Sequence, residues 1–180
     1  MCTKKTIRKK MKIVKKREVL NNTAPHTAAH LFLKNIDLEQ ETIFGLYWPI
    51  LYELDTRPLI KVLSEMNFKL ALPIIKDGEM SFKKWMINEP LFYNSHNFYS
   101  PLAKSSYTNP NILIVPLLAF DSQGYRLGYG RGYYDKFYSK NKQLKYYGYG
   151  YNAQYIISLP NDSHDLKLKH VITEKKIYAF

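Results

Sequence analysis

Between Asp121 and Asp135 the chain reads Asp-Ser-Gln-Gly-Tyr-Arg-Leu-Gly-Tyr-Gly-Arg-Gly-Tyr-Tyr-Asp, and here residue types and spacing suit a reaction. Gly128, Gly130 and Gly132 alternate, with the most apolar run of the chain before them and a helix-forming stretch after. Glycines permit positive φ and close backbone approach, so successive N–H groups can converge on an anion. The helix start adds unpaired N–H donors and the positive end of a dipole. Arg126 and Arg131 are charge-assisted donors suited to phosphate oxygens, and Asp135 stands where it could hold a cation that bridges phosphates. The spacing fits neither a Walker A loop, which needs Gly-Lys-Ser/Thr, nor a dinucleotide fingerprint. On the residues alone two readings stand: a nucleotide phosphate site, or a Gly-rich turn whose tyrosines pack on a sheet.

The elements that must position this loop follow from periodicity. Residues 4–20 carry no Gly or Pro and set Ile7, Met11 and Val14 on one stripe, which predicts a helix. On a neighbouring face Lys4, Arg8 and Lys12 stack at i, i+4 spacing. A second helix is expected over 25–34 after Asn22 or Thr23, and a third from Asp55 or Thr56 through Met66, with Pro58 in its first turn. Thr42–Tyr47 reads as a strand stopped by Pro49, and 69–75 with 80–85 as two strands around Asp77-Gly78. Residues 88–110, rich in Pro, Asn and Ser, read as a long connection. Ile112–Phe120 reads as a central strand covered on both faces. A helix opens at 132–138, Tyr146–Tyr151 is a further strand, and Val171–Thr173 a last short one. The alternation predicts an α/β fold: one domain over 1–180, a mainly parallel twisted sheet with helices on both faces, a three-layer sandwich.

Composition sets the outer limits. At 180 residues, 46% hydrophobic and 23% charged, the chain has globular composition and excludes wholesale disorder. Cys2 has no partner, which fits a reducing compartment, and is read as a terminal free thiol. No apolar stretch approaches a membrane span, and the basic first residues lead into no apolar signal region, so a cytoplasmic protein is expected. The net charge is +12, from 27 Lys+Arg against 15 Asp+Glu. Nine cations precede Glu18; without them 18 face 15, or +3. The basicity is local, which argues against a broad nucleic-acid face. On charge alone residues 4–17 read first as a solvated Lys-rich helix, with an anion site supplied by a few of them as the alternative.

The run Val115-Pro116-Leu-Leu-Ala-Phe-Asp121, followed by Arg126-Leu-Gly-Tyr-Gly-Arg-Gly-Tyr-Tyr-Asp135, resembles the signature of the 5-formyltetrahydrofolate cyclo-ligase family, also called 5,10-methenyltetrahydrofolate synthetases. Lys4-Lys5-Thr6-Ile7-Arg8 resembles that family's phosphate-contacting N-terminal pair. Tyr47-Trp48-Pro49 with Glu53-Leu54-Asp55-Thr56 resembles its folate segment. Gly148–Gln154 and Asp165–Glu174 fall where the family has a strand with a following Gln and an Asp-rich close. The likeness spans nearly the whole chain.

The resemblance implies the reaction of 5-formyltetrahydrofolate with ATP and Mg²⁺ to give 5,10-methenyltetrahydrofolate, ADP and phosphate. It implies ATP contacts at Lys4, Lys5, Arg8, Arg126, Leu127, Gly128, Tyr129, Gly130, Arg131, Gly132, Tyr133 and Tyr134. The implied folate contacts are Trp48, Glu53, Tyr129, Gly130, Arg131, Gly132 and Tyr133. Arg126, Arg131 and Tyr133 are the implied catalytic residues, and Asp135 the Mg²⁺ ligand. Small-molecule partners and a monomer are expected, without nucleic acid or membrane.

Three positions depart from the pattern. Lys169 aligns with an aspartate that gives relatives a second Mg²⁺ contact. Leu117 stands at a usual glycine, and His96–Pro101 matches the substrate loop loosely. A folate- or nucleotide-binding protein of impaired catalysis is therefore the alternative. His26 and His30 lack a third ligand and read as surface histidines. Most of the 16 tyrosines read as sheet and core aromatics, and Trp85 as core.

Overall fold

The computed structural model describes residues 3–162 and 165–180. Cys2 lies outside them. In chain order the elements are α1 (Lys4–Glu18), α2 (Ala24–Asn35), β1 (Ile43–Gly45), α3 (Arg57–Glu65), β2 (Lys69–Lys76), β3 (Glu79–Lys84), β4 (Leu91–Tyr93), β5 (Tyr99–Pro101) and β6 (Tyr107–Thr108). There follow β7 (Ile112–Pro116), β8 (Ala119–Phe120), β9 (Arg126–Leu127), α4 (Tyr133–Lys140), β10 (Lys145–Tyr149), β11 (His170–Ile172) and β12 (Ile177–Ala179). The main sheet runs β12-β11-β10-β7-β1-β2-β3-β6. Its five middle strands are parallel, and β12, β3 and β6 add antiparallel edges.

Strand alternation divides the core as a period of two requires. Phe44, Leu46, Leu70, Leu72, Ile112, Ile114, Tyr147 and Tyr149 face α2 and α3. Leu113, Val115, Tyr146 and Val171 face the opposite side, where Phe137 and Tyr138 of α4 pack. Both faces are covered, as the α/β pattern predicts. Helix α1 lies apart from these layers and caps the β8–β9 ribbon, with Ile7 and Met11 against Leu118, Ala119 and Leu127. Among the described residues no helix is long and apolar enough to cross a membrane.

Local chemistry fixes the ends. Thr3 caps α1, its hydroxyl oxygen accepting from Thr6 N–H at 3.2 Å. Pro25 and Pro58 stand in the first turns of α2 and α3, where a missing N–H costs nothing. Asp77 and Gly78, both at positive φ, turn β2 into β3.

Three expected elements differ. The run Ile112–Phe120 is two strands: β7 stops at Pro116, and Ala119-Phe120 turns away to pair with Arg126-Leu127. The stretch 88–110 is not a bare connection, because β4 and β5 form a hairpin and β6 closes the sheet edge. A strand absent from the sequence reading, β12, folds back on β11.

Candidate active site

Strand β1 leads through α3 to β2 on one side, while β7 leads through α4 to β10 on the other. The crevice outside the carboxyl ends of strands at such a reversal is where open α/β sheets hold ligands. A cleft of about 810 Å³ lies there, with Tyr47–Ile50 following β1 and Pro116 ending β7. Helix α1, the Gly-rich loop and the β4–β5 hairpin form its other walls.

The loop is built on Asp121, which is 1% exposed. Its Oδ1 accepts from Gln123 and Tyr125 N–H at 3.0 Å each and its Oδ2 from Leu159 N–H at 2.9 Å. This closes the β8–β9 turn and delivers Arg126 to the cleft. The Arg126 side chain is 3% exposed, and its Nη2 donates to Asp135 Oδ1 at 2.8 Å. Its Nε–H is buried without a hydrogen-bond partner among the described residues. The guanidinium to which it belongs lines the cleft and is a charge-assisted donor for an anion oxygen. Arg8 Nε donates to Gly128 O at 2.9 Å. Gly130 has φ +102°, and a Cβ there would meet the Arg8 guanidinium at 3.3 Å. The glycine thus admits both the backbone turn and the arginine's approach. Gly132 caps α4, with Asp135 in the helix's first turn.

Carboxylates complete this end. Asp135 Oδ1 also accepts from Leu166 N–H at 3.1 Å, which docks the segment after the neighbouring Asp165. Asp165 Oδ2 and Asp162 Oδ2 each accept from Lys4 Nζ at 2.7 Å. Among the described residues no cluster of three or more His, Cys, Asp or Glu could hold a metal. Two carboxylates on one wall nonetheless suit Mg²⁺, which keeps several waters and takes one or two carboxylates beside phosphates. His26 and His30 are exposed and line no part of the cleft.

The other end is aromatic. Trp48 lines it and packs edge-on against Trp85 at 5.7 Å; Trp85 is 3% exposed, a core residue as expected. Glu53 is 6% exposed, and its Oε2 accepts from Ile50 N–H at 3.0 Å. Burial pushes the Glu53 carboxyl above the usual range, while the Lys15 ammonium, the Ile50 N–H and the Tyr129 hydroxyl oppose that rise. Lys15 is itself 2% exposed and donates to the Tyr129 hydroxyl at 2.5 Å. Burial lowers Lys15 to about 8 against the pull of Glu53, with Lys12 adding repulsion. Tyr133 lies on the facing wall, edge-on to His96 of the hairpin at 6.0 Å between centroids.

Lys4, Arg8, Trp48, Glu53, the run 126–134 and Asp135 all line this one cleft. Arg131 stands exposed at its rim and Leu127 is buried beneath it. Lys5 is exposed on α1 and is not among the lining residues. Lys169 is exposed and outside the cleft; the lining carboxylate of that segment is Asp165, four residues earlier. Leu117 sends its side chain away, into the core between Gly148 and Gly150, where a Cβ would come within 2.9 and 2.7 Å of it. The hairpin residues Tyr93 and His96–Tyr99 also line the cleft.

Asp165 and Lys15 were missed as individual site residues. Asp165 stands in the sequence reading only as the start of the segment resembling the family's Asp-rich close. Lys15 carries a local signal: it continues Ile7 and Met11 at i+4 and i+8, the buried stripe of α1.

The family model described as the 5-formyltetrahydrofolate cyclo-ligase family matches residues 1–174. The 5-formyltetrahydrofolate cyclo-ligase of Escherichia coli K12 is 31% identical over 137 residues, covering 71% of this chain and 75% of that protein. That of Haemophilus influenzae is 28% identical over 149 residues, covering 78% and 80%. The NMR structure of Aquifex aeolicus 5,10-methenyltetrahydrofolate synthetase superposes with a TM-score of 0.83 at 26% identity, over 98% of this chain and 92% of that one. The Mycoplasma pneumoniae synthetase structure, at 18% identity and a TM-score of 0.76, shares the fold.

Proposed function

The chain belongs to the 5-formyltetrahydrofolate cyclo-ligase family, and from that membership we propose that its cleft converts 5-formyltetrahydrofolate, with ATP and Mg²⁺, to 5,10-methenyltetrahydrofolate, ADP and phosphate. The observation that carries the reading is one cleft with two unlike ends. One end has the Arg126 guanidinium held by Asp135, Arg8 against the glycines and a helix start. The other has an indole, two phenols and a buried carboxylate.

Phosphoryl transfer asks a protein for positioning and charge stabilisation more than for covalent chemistry. Arg126, Arg8, Lys4 and the N–H groups of residues 128–132 hold the triphosphate. Glu53 accepts hydrogen bonds from the pterin, and Trp48, Tyr129 and Tyr133 wall it. The formyl oxygen, held between the two ends, attacks the γ-phosphorus and ADP leaves. N10 then attacks the activated carbon, the ring closes, and phosphate departs with the former formyl oxygen and the proton that N10 loses. Arg131, exposed and cationic on the rim, meets the transferring phosphoryl group. Asp135 and Asp165 are the residues that would hold Mg²⁺. Bound there, the ion neutralises triphosphate charge.

A spectrophotometric assay tests the reading, with folate, ATP and Mg²⁺ supplied to the full chain. The near-ultraviolet band of the methenyl product should grow only when both ATP and Mg²⁺ are present. A flat trace from folded protein that binds the folate would leave a binding protein instead.

A further inference from the structure

Lys15 is the anomaly of α1. The helix carries nine cations, eight of them solvated or at the cleft edge, yet Lys15 is 2% exposed and sits on the stripe of Ile7 and Met11. Packing alone asks for an apolar side chain there, because removing an ammonium from water costs free energy that hydrophobic contacts do not return. What Lys15 touches is polar. Its Nζ donates to the Tyr129 hydroxyl at 2.5 Å and lies 4.9 Å from the centre of that ring. The opposite charge that acts on it is Glu53, itself 6% exposed and fixed on one oxygen by Ile50 N–H.

Lys15, Tyr129 and Glu53 come from α1, the Gly-rich loop and the segment after β1, three elements far apart in the chain. Tyr129 and Glu53 line the cleft, whereas Lys15 stands behind them and touches no space a ligand would fill. The Lys15 N–H occupies a lone pair of the Tyr129 oxygen, which turns the hydroxyl's own proton toward the carboxylate. Glu53 faces Lys15 and Tyr129, with the Tyr47 and Tyr134 hydroxyls nearby; Lys15 faces Glu53, Tyr129 and Lys12. Tyr47 is already committed, donating to Leu54 O at 2.7 Å. Lys15 is therefore the cation that compensates Glu53.

We propose that Lys15 is a positioning residue: acting through the Tyr129 hydroxyl, it holds the buried Glu53 ionised and aimed into the cleft, ready to accept hydrogen bonds from the cyclic amidine or guanidine edge of a substrate ring. This rests on the reading of that end of the cleft as the folate subsite. An ionised carboxylate accepts on both oxygens, whereas a protonated one gives up an acceptor for a donor, so the charge state decides which ring edge fits.

Two measurements test it, and they fail separately. On the protein alone, the side-chain carboxyl carbon of Glu53 is followed by NMR in ¹³C-glutamate-labelled chain, assigned with Glu53→Gln. Lys15→Met should move its titration midpoint up by about one pH unit or more, and Lys15→Arg should leave it near the wild-type value. In turnover, Lys15→Met should raise KM for the folate about 10-fold or more while leaving KM for ATP within about twofold. Lys15→Arg should recover most of that loss. Tyr129→Phe, which keeps the ring, serves if the methionine variant does not fold; it too should raise the Glu53 midpoint. An unchanged Glu53 midpoint overturns the proposal, as does an equal rise in both KM values. Should the wild type neither bind nor turn over the folate, the folate reading falls, and the carboxyl titration still decides what Lys15 does.

Discussion

Arg126 and Asp135 are bonded to each other on the wall of the cleft, Nη2 to Oδ1 at 2.8 Å, with the Arg126 side chain 3% exposed. The bond fixes the guanidinium plane before any ligand arrives. A buried, pre-aimed donor contributes at the moment of reaction without reorganising.

Arg126→Lys keeps the charge and loses the planar fork. A charge-assisted hydrogen bond is worth about 1.5–3 kcal/mol, so kcat/KM for ATP should fall about 10- to 100-fold. Steady-state kinetics at saturating folate measure this. An unchanged value would remove Arg126 from the phosphate contacts.

Lys4 and Lys5 are adjacent, but only Lys4 lines the cleft and reaches Asp162 and Asp165. Lys4→Ala should lower kcat/KM by about 10-fold or more, and Lys5→Ala should change it by less than about twofold. Equal losses would mean that both contact the nucleotide, as the resemblance implies.

Asp165, rather than Lys169, is the carboxylate of the closing segment that lines the cleft. Asp165→Asn should raise the Mg²⁺ concentration for half-maximal rate about 10-fold, in the range seen when a metal site loses a supporting carboxylate. Lys169→Ala should leave that concentration unmoved. A Mg²⁺ titration of the three proteins decides it, and a shift in the Lys169 variant alone would reverse the assignment.

Burial depresses Lys15 to about 8, below its ordinary 10.5. Between those values the unfolded chain binds a proton that the native state does not, so this group's contribution to stability rises with pH across the window. Burial raises the phenols of Tyr47, Tyr129, Tyr134 and Tyr149 above their ordinary 10.0. There the native state keeps protons the unfolded chain loses, and stability falls as pH climbs past 10. Urea midpoints of the wild type should therefore rise above pH 8 and fall beyond 10. Lys15→Met should lose the rise and keep the fall; a rise of equal size in that variant would contradict the account.

The sheet was legible where one strand carries its own pattern. β2 and β3 announce themselves by β-rich runs around Asp77-Gly78, and α1 to α3 by stripes and first-turn prolines. The β4–β5 hairpin was not legible, because Pro90, Pro101 and a polar tip read as connection. Its pairing is fixed partly by Ser100, whose hydroxyl donates to Pro73 O at 3.3 Å, a contact no local rule announces. The Gly-rich loop was readable because anion-binding backbone is local chemistry. The stripe of α1 marks Lys15 as buried, but its partner, like that of Asp165, comes from more than 100 residues away, so neither contact was readable.

Lys4 meets Asp165 across 161 positions of sequence, while the parallel strands that carry the cleft lie between residues 43 and 172. A nascent polypeptide can pair β1, β2 and β7 long before both partners of that bridge have been made. The Lys4–Asp165 contact therefore closes a much longer loop than the pairings among β1, β2 and β7. In the mature protein the same geometry makes the two chain ends a clasp. Heating should release that clasp by local fraying before the strands part, so turnover is lost at a lower temperature than the sheet melts.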